Sequence, residues 1–357
     1  MGKGRVAEWL GRGLQNLVRR FESASDLFGP LVFPEAFFLK TLADMLIWTG
    51  FIALILLLIG LDLGVLNKRP HRVSTSEALR WTALWVSLSL MFSLFIYYAY
   101  SGNWLGREVG GISGREAVVT YLTGYLVEQS LSIDNVFVIV VIFNYFNIPQ
   151  ENQHRVLFWG IVGAIIFRGI MIGLGAILIE NISWIIYLFG IILLYAAYKM
   201  YQSGDQEPLN PEDNPTIRLI KRFIPVTSSF QGNHFFILEG GRRVATPLFV
   251  ALMVVETTDI VFAFDSIPAI FGITTDSFLV FTSNIFAILG LRSLYFVLAA
   301  FIDKFTYLKY SLIAILAFIG VKMLLSHLVH LPTWTSLAFI LVSLTAGVGF
   351  SIWREKD

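Results

Sequence analysis

The 357-residue chain contains no cysteine, which excludes disulfides, thiolate metal centres, iron–sulfur clusters and cysteine nucleophiles at once. It is also poor in charge: 14% of its residues are Asp, Glu, Lys or Arg, against roughly 25% in an ordinary soluble domain. Neither sign dominates, with 26 Lys and Arg against 25 Asp and Glu, so no cationic excess recruits nucleic acid. Histidine is scarce. His71, His154 and His234 fall between apolar runs, while His327 and His330 share a helix end, an i,i+3 pair better suited to interfacial anchoring than to holding a metal. A Gly-rich phosphate loop, a nucleophile elbow and a His-Glu-x-x-His pattern are all missing. No enzyme is therefore expected, and any transport would draw on an ion gradient or the membrane potential.

What is present is apolar. Hydrophobic residues make up 56% of the chain, with 31 Phe and 29 Gly, as in closely packed helices with lipid-facing aromatics. A spanning helix needs about 20 mostly apolar residues, and nine segments qualify: 42–64, 81–100, 117–145, 156–179, 182–201, 246–271, 278–302, 308–328 and 334–353. The runs are continuous rather than alternating, which disfavours a β-barrel. The expected fold class is all-α, a polytopic membrane protein. Ahead of the spans, Val6, Trp9, Leu10, Gly13, Leu14, Leu17, Val18 and Phe21 recur at helical spacing, with Arg5, Arg12, Arg19 and Arg20 mostly on other faces. Segment 1–40 thus reads as an amphipathic helix in the membrane interface, too polar for the core of a secretory signal.

Loop charge sets the orientation. Lys68, Arg69, Arg72, Arg80, Arg155, Arg218, Lys221, Arg222, Arg242, Arg243, Lys304, Lys309, Arg354 and Lys356 fall on one side, against Arg107 and Arg115 on the other. The basic side should be cytoplasmic and should include the C-terminus. Nine spans then leave a basic N-terminus outside, a conflict resolved here in favour of the loops.

The chain also repeats itself. Glu128-Gln-Ser-Leu-Ser-Ile-Asp134-Asn135 aligns with Asp259-Ile-Val-Phe-Ala-Phe-Asp265-Ser266. Downstream, Arg168 aligns with Arg292, and Lys199-Met200 with Lys322-Met323 after a one-residue gap. Each copy holds three spans, an odd number, so the second should enter the membrane from the opposite side. Such inverted repeats in transporters place their sites near the midplane where the halves meet. The expected organisation is two spans in 41–110, one repeat in 115–201, a cytoplasmic linker in 202–245, the second repeat in 246–328, and a last span with its tail in 333–357.

A charge at the bilayer centre costs about 2.5–3.5 kcal/mol on insertion scales, yet Glu128, Asp134, Glu256, Asp259 and Asp265 lie in apolar segments. Two readings compete. In one, Arg168 and Arg292 neutralise acids in ion pairs that fix helix packing. In the other, surplus carboxylates bind a cation or carry protons, since five acids and two arginines do not balance. At about 100° per residue, Glu128, Ser132 and Asn135 share one helix face, as do Asp259 and Ser266. Asp134 and Asp265 lie about 120° from those faces. Either the helices are locally broken or each acid meets a neighbouring helix. Pro268 points to a break, because its ring removes the hydrogen bond to the Phe264 carbonyl. Carboxylate, amide, hydroxyl and backbone carbonyl are hard donors suited to Mg²⁺, Ca²⁺ or Mn²⁺. An oxyanion would need surplus Arg or Lys. Lys199 and Lys322, near span ends, can snorkel to the headgroups.

Three stretches carry a resemblance. They are Tyr121 to Glu128 with Leu131-Ser-Ile-Asp134-Asn135; Val255-Glu256-Thr-Thr-Asp259 through Asp265-Ser266-Ile-Pro268; and Asn284-Ile-Phe-Ala-Ile-Leu-Gly-Leu-Arg292 with Gly320-Val-Lys322-Met323. Over about 41–353 the chain resembles the TerC/Alx family of integral membrane proteins, closest to its Alx branch. That resemblance implies manganese efflux, within a superfamily also tied to tellurium resistance and to membrane-protein insertion, both of which stand as alternatives. It implies a bacterial inner membrane, no bound cofactor, and Mn²⁺ as cargo. The expected metal ligands are Glu128, Asp134, Asp259 and Asp265. Asn135, Glu256, Ser266, Asn284, Ser132 and the Phe264 carbonyl are the auxiliary groups, and Arg168 and Arg292 balance charge. Carboxylates also bind protons, so exchange for protons is compatible with the same residues. The expected partners are a divalent metal ion and the lipid bilayer, not nucleic acid, and a homo-oligomer is compatible with the sequence.

Overall fold

The computed structural model describes residues 35–61, 74–102, 112–182, 184–202, 241–299, 307–326 and 331–354, with shorter pieces of 217–239 and residue 328. For residues 35–44, Asp134 and Glu239 only the backbone is described. The amphipathic segment up to residue 34, much of the expected linker, and His327 and His330 lie outside the described residues.

The chain divides into two units, Met1–Ile55 with Asn103–Gly110, and Leu56–Gly102 with Gly111–Asp357. The described part of the first is the helix α1, Glu35–Leu61, whose last turns enter the second unit. The second unit contains α2 Thr75–Ser101, α3 Gly114–Tyr145, α4 Gln150–Asn181 and α5 Ile185–Gln202. A hairpin of β1 Phe236–Glu239 and β2 Arg242–Ala245 follows. Then come α6 Pro247–Phe271, α7 Ser277–Leu289, α8 Leu291–Ala299, α9 Leu308–Leu324 and α10 Thr333–Arg354.

Local sequence explains where these helices start. Ser74-Thr-Ser-Glu77 and Ser113-Gly-Arg-Glu116 have the spacing of capping boxes. The Ser74 hydroxyl accepts from the Glu77 amide at 3.3 Å and that of Ser113 from the Glu116 amide at 3.2 Å. Thr246 and Pro247 open α6 with a proline at the first helical position, where its missing N–H is harmless. Asp276 caps α7. Its Oδ1 accepts from the amides of Phe278 and Leu279 at 2.9 and 3.2 Å, and its Oδ2 accepts from the Tyr100 hydroxyl at 2.7 Å. Asp276 is thus a buried acid with a complete structural role. Asp276→Ala should lower stability by about 0.5–2 kcal/mol, read by thermal unfolding in detergent, whereas Asp276→Asn, which still caps, should lose much less.

Six of the described helices are long and apolar enough to cross a membrane, and a seventh span results if α7 and α8 are one. The fully described part of α1, Met45–Leu61, and the 17-residue α9 are apolar but shorter. Each of the nine expected segments therefore holds a helix, but only six or seven reach spanning length among the described residues. The 278–302 segment is not one straight helix: α7 and α8 meet at Gly290 at 45°. Conversely, α6 runs unbroken through Pro268. The proline sits in the last turn, three residues before the helix ends, where one lost hydrogen bond disturbs little. The break expected there lies at Gly290 instead.

Large apolar side chains face outward, among them Met91 and Leu94 on α2, Ile166 and Ile170 on α4, and Val342 on α10. Hydrocarbon is the solvent that makes such a surface stable. Inside, α3 is central, packing against α2, α6, α7 and α10, while α4 packs on α6 and α7. One apolar core joins Ile139 and Phe143 of α3 to Leu157 of α4, Val254 of α6 and Tyr295 of α8. A second joins Leu131 of α3 to Leu193 of α5, Ala269 of α6, Ile319 of α9 and Ile340 of α10.

The α5–α9 contact needs glycine on both helices. A Cβ on Gly320 would lie 3.0 Å from the Gly190 carbonyl oxygen, and one on Gly190 would lie 3.1 Å from that of Gly320. The obstacle is backbone and cannot rotate away. Gly320→Val should therefore cost about 1–3 kcal/mol, the usual range for overpacking, and thermal unfolding of the purified protein measures it.

Candidate functional site

Between these apolar layers lies a polar cluster built around Arg168, a side chain at 0% exposure in the middle of α4. Its Nη1 donates to Glu128 Oε1 of α3 in a short ion-paired hydrogen bond. The same nitrogen lies 3.1 Å from Asn284 Oδ1 of α7 and 3.5 Å from the Ser266 hydroxyl of α6. Its Nη2 donates to Asp259 Oδ1 at 3.0 Å, and Nε lies 3.5 Å from Oδ2 of the same carboxylate. The guanidinium thus forks across Asp259 while holding Glu128, a geometry open to arginine and closed to lysine.

The carboxylates have further partners. Asn284 Nδ2 donates to Glu128 Oε2 at 3.1 Å, and the Ser132 hydroxyl to Oε1 at 3.3 Å. Asn135 Nδ2 reaches Asp259 Oδ1 at 3.5 Å. Glu128, Ser132, Asn135 and Arg168 come from the first of the aligned sequence copies, and Asp259, Ser266 and Asn284 from the second. Periodicity put Glu128, Ser132 and Asn135 on one helix face and Asp259 and Ser266 on another, and these are the faces that meet at Arg168.

In formal charge Glu128, Asp259 and Arg168 sum to one negative in excess, with a second guanidinium, Arg292, in the wall of the adjoining cavity. That cavity, of about 20 Å³, is lined by Asn135, Thr258 and Asp259, with Arg292 and Leu291 from the start of α8. That is room for about one water-sized guest. Asn135 Oδ1 is buried and accepts no hydrogen bond from the described residues, which leaves a hard oxygen donor in the cavity wall.

The other expected site residues lie elsewhere. Asp265 is half-buried, about 120° around α6 from Asp259 at 100° per residue, and its electrostatic partner is Lys199 of α5. Of the two alternatives left by the sequence, a broken helix or an acid meeting a neighbouring helix, Asp265 follows the second. Asp134 is placed on α3 by its backbone alone. Phe264 turns its side chain outward, at 55% exposure. Glu256 lies on the Asp259 side of α6 and rests its carboxylate against α4 at Gly163, where any Cβ would collide with it. Lys322 donates to the buried Ser336 hydroxyl of α10 at 3.0 Å rather than reaching for headgroups. Of the expected ligands, Glu128 and Asp259 are both held by Arg168 while Asp265 meets Lys199 elsewhere, and no three His, Asp or Glu side chains come together among the described residues. The physical reason is plain: Arg168 occupies the space between Glu128 and Asp259. Sequence reading missed Gly163 and Thr258. The only signal for Gly163 is a glycine opposite an intramembrane acid, visible once α4 and α6 are known to pack.

Helices with an apolar exterior around a buried, charge-bearing polar core define a polytopic integral membrane protein. Residues 113–357 match the Integral membrane protein TerC family, and the chain belongs to that family. It is 46% identical over 310 residues to the uncharacterized membrane protein STKORF319 of Myxococcus xanthus, covering 87% of this chain and 93% of that one. It is 43% identical over 321 residues to a protein of Photorhabdus laumondii, covering 89% and 98% of the two chains. The corresponding protein of Escherichia coli K12 is 41% identical over 303 residues, 85% and 92% of the two. Both of the latter carry the provisional name membrane-bound redox modulator Alx. No solved structure matches the chain.

Proposed function

We propose that this protein is a secondary transporter, not an enzyme, which exports Mn²⁺ and similar hard divalent cations from the cytoplasm through the Glu128–Arg168–Asp259 cluster. One observation carries the reading: a membrane-buried core in which two carboxylates face a single guanidinium. A purely structural ion pair needs only one acid per arginine, and an extra buried charge is costly unless it has a use. The groups around it are hard oxygen donors: two carboxylates, the Asn135 and Asn284 carbonyls and the Ser266 hydroxyl.

In this account Arg168 holds the acids when no cargo is present. A divalent cation presents twice the charge of the guanidinium to the same two carboxylates, so it competes for them. Asn135 Oδ1, with no hydrogen bond from the described residues, then adds a neutral donor. The aligned copies support an inverted-repeat transporter, with each copy supplying half of the cluster. Loop charge favours a cytoplasmic C-terminus. Protons are the counter-ion that the same carboxylates can carry. The redox name of the relatives suits this reading in an indirect way. A chain without cysteine brings no thiol couple of its own, whereas exporting a redox-active metal alters the compartment it leaves.

The test is metal content in a bacterial strain lacking its manganese exporter. Cells expressing the parent chain should hold low manganese under manganese stress, and cells expressing Asp259→Asn should accumulate it like the empty vector. Equal export by both chains would overturn the proposal. Tellurite sensitivity that changes without any change in manganese would favour the tellurium-linked alternative.

A further inference from the structure

The hairpin ahead of α6 holds two large apolar side chains, Phe236 and Leu238, that stand exposed among the described residues. Its register pairs Phe236 with Ala245, Ile237 with Val244, Leu238 with Arg243 and Glu239 with Arg242. Directly opposed residues in an antiparallel pair share a face, and the faces alternate along each strand. Ile237 and Val244 therefore point to one side, where both are buried, at 7% and 8% exposure. Phe236, Leu238, Arg243 and Ala245 point to the other, where Ala245 is buried while Phe236 is 45% and Leu238 73% exposed. The ordinary rule for a strand, apolar inward and polar outward, holds for Ile237 and Val244 and fails for Phe236 and Leu238.

Position gives these exposed side chains their meaning. Ala245 ends β2, and Thr246 and Pro247 start the span α6. At about 3.3 Å per residue each four-residue strand is about 13 Å long, so the hairpin stays within about that distance of the start of α6. The headgroup layer there is roughly 5–8 Å deep on each side of the hydrocarbon. Phe236 packs against Phe249 of the first turn of α6, with ring centroids 4.5 Å apart and planes tilted by 47°, which ties the base of the face to the start of the span. Leu238 lies two residues further along, about 7 Å. The charges nearby are mainly basic. Arg242, Arg243 and Arg222 are exposed, and Arg155, at the start of α4, lies over the Phe235 ring at 4.7 Å. Arg243 opposes Leu238 in register, so it stands beside Leu238 as the cation of this face. Apolar side chains flanked by arginines at membrane depth are the pattern of an interfacial anchor for anionic lipid.

We infer that this hairpin is a lipid-binding element. Phe236 and Leu238 insert into the interface, and Arg243, helped by Arg242, binds the phosphates of anionic phospholipids. A water-facing role would leave Leu238 exposed for no gain, and a soluble partner protein has no reason to require the face at headgroup depth.

The absence of cysteine from the chain makes the test clean. Full-length Leu238→Cys is labelled with a nitroxide and reconstituted into phosphatidylcholine vesicles with and without phosphatidylglycerol. Collisions with oxygen, which concentrates among acyl chains, are compared with collisions with a water-soluble nickel chelate. Leu94→Cys on the outer face of α2 serves as the lipid reference, and His234→Cys, exposed next to the hairpin, as the local comparison. In phosphatidylglycerol vesicles the label at 238 should favour oxygen, as at 94, and adding Arg243→Gln should move it toward the nickel chelate. A label at 238 open to the nickel chelate in both lipid mixtures overturns the inference. So does a label shielded from both probes, which is the result a protein partner or a second copy of the chain would give. A label-free measurement stands beside it. The parent's gain in thermal midpoint on adding phosphatidylglycerol should disappear in the Arg242→Gln, Arg243→Gln double variant, and an undiminished gain overturns the inference as well.

Discussion

Replacing Arg168 with methionine is expected to destabilise the protein by about 3–5 kcal/mol, the range for removing one partner of a buried ion pair. The reason lies in what remains. Glu128 is at 0% exposure and the Asp259 side chain at 12%, and no other cation bonds to either among the described residues. Asn284 Nδ2 and the Ser132 hydroxyl would still reach Glu128, but neutral donors do not offset two buried negative charges. Thermal unfolding in detergent should show the loss directly. Adding Glu128→Gln and Asp259→Asn to Arg168→Met should recover much of it, because the cluster then contains no net charge. Arg168→Lys should fall between, since one ammonium cannot bond Asp259 through a fork and also reach Glu128, Asn284 and Ser266.

The second large effect runs the other way, on binding with the fold kept. Glu128→Gln retains an acceptor for Arg168 Nη1 and the Ser132 hydroxyl but turns its amide nitrogen toward the Asn284 Nδ2 donor, so stability should fall by only about 1 kcal/mol, the size of one hydrogen bond. What it removes is the excess charge, leaving one acid to one guanidinium. A unit charge at about 4 Å is worth roughly 4 kcal/mol at an effective dielectric constant of 20. That corresponds to about a thousandfold in affinity for even a monovalent ion, and more for a divalent one. Isothermal titration of Mn²⁺ into the purified protein should show binding to the parent chain and none to the variant at the same concentrations. Unchanged binding would place the cation elsewhere, with the Asp265 region the next position to examine.

Much of the cluster was legible in the sequence because a repeat and a period together are strong constraints. The alignment of Glu128 with Asp259 and the shared faces of Ser132, Asn135 and Ser266 anticipate the residues that surround Arg168. Helix positions were legible from apolar run length alone. Three things were not. Pro268 is the most visible helix breaker in the second copy, yet α6 absorbs it in its last turn. The real bend falls at Gly290, whose own dihedrals, φ −76° and ψ −14°, are close to helical, so neither composition nor the residue type marks it. The convergence of acids was not legible either. Asp265 is six residues after Asp259, and which neighbour it meets depends on α5 packing beside α6, information that comes only from tertiary structure. Finally, Arg168 reads in sequence as a counter-charge, whereas in the fold it is the centre that four helices are arranged around.

The most direct measurement is Mn²⁺ flux into vesicles that contain the purified protein and a trapped, manganese-quenched fluorophore. The account predicts quenching with the parent chain, and no more than the protein-free leak with the Glu128→Gln, Asp259→Asn double variant, checked to be folded and inserted. Parent vesicles as tight as protein-free ones, or a double variant that moves manganese as fast as the parent, would contradict it.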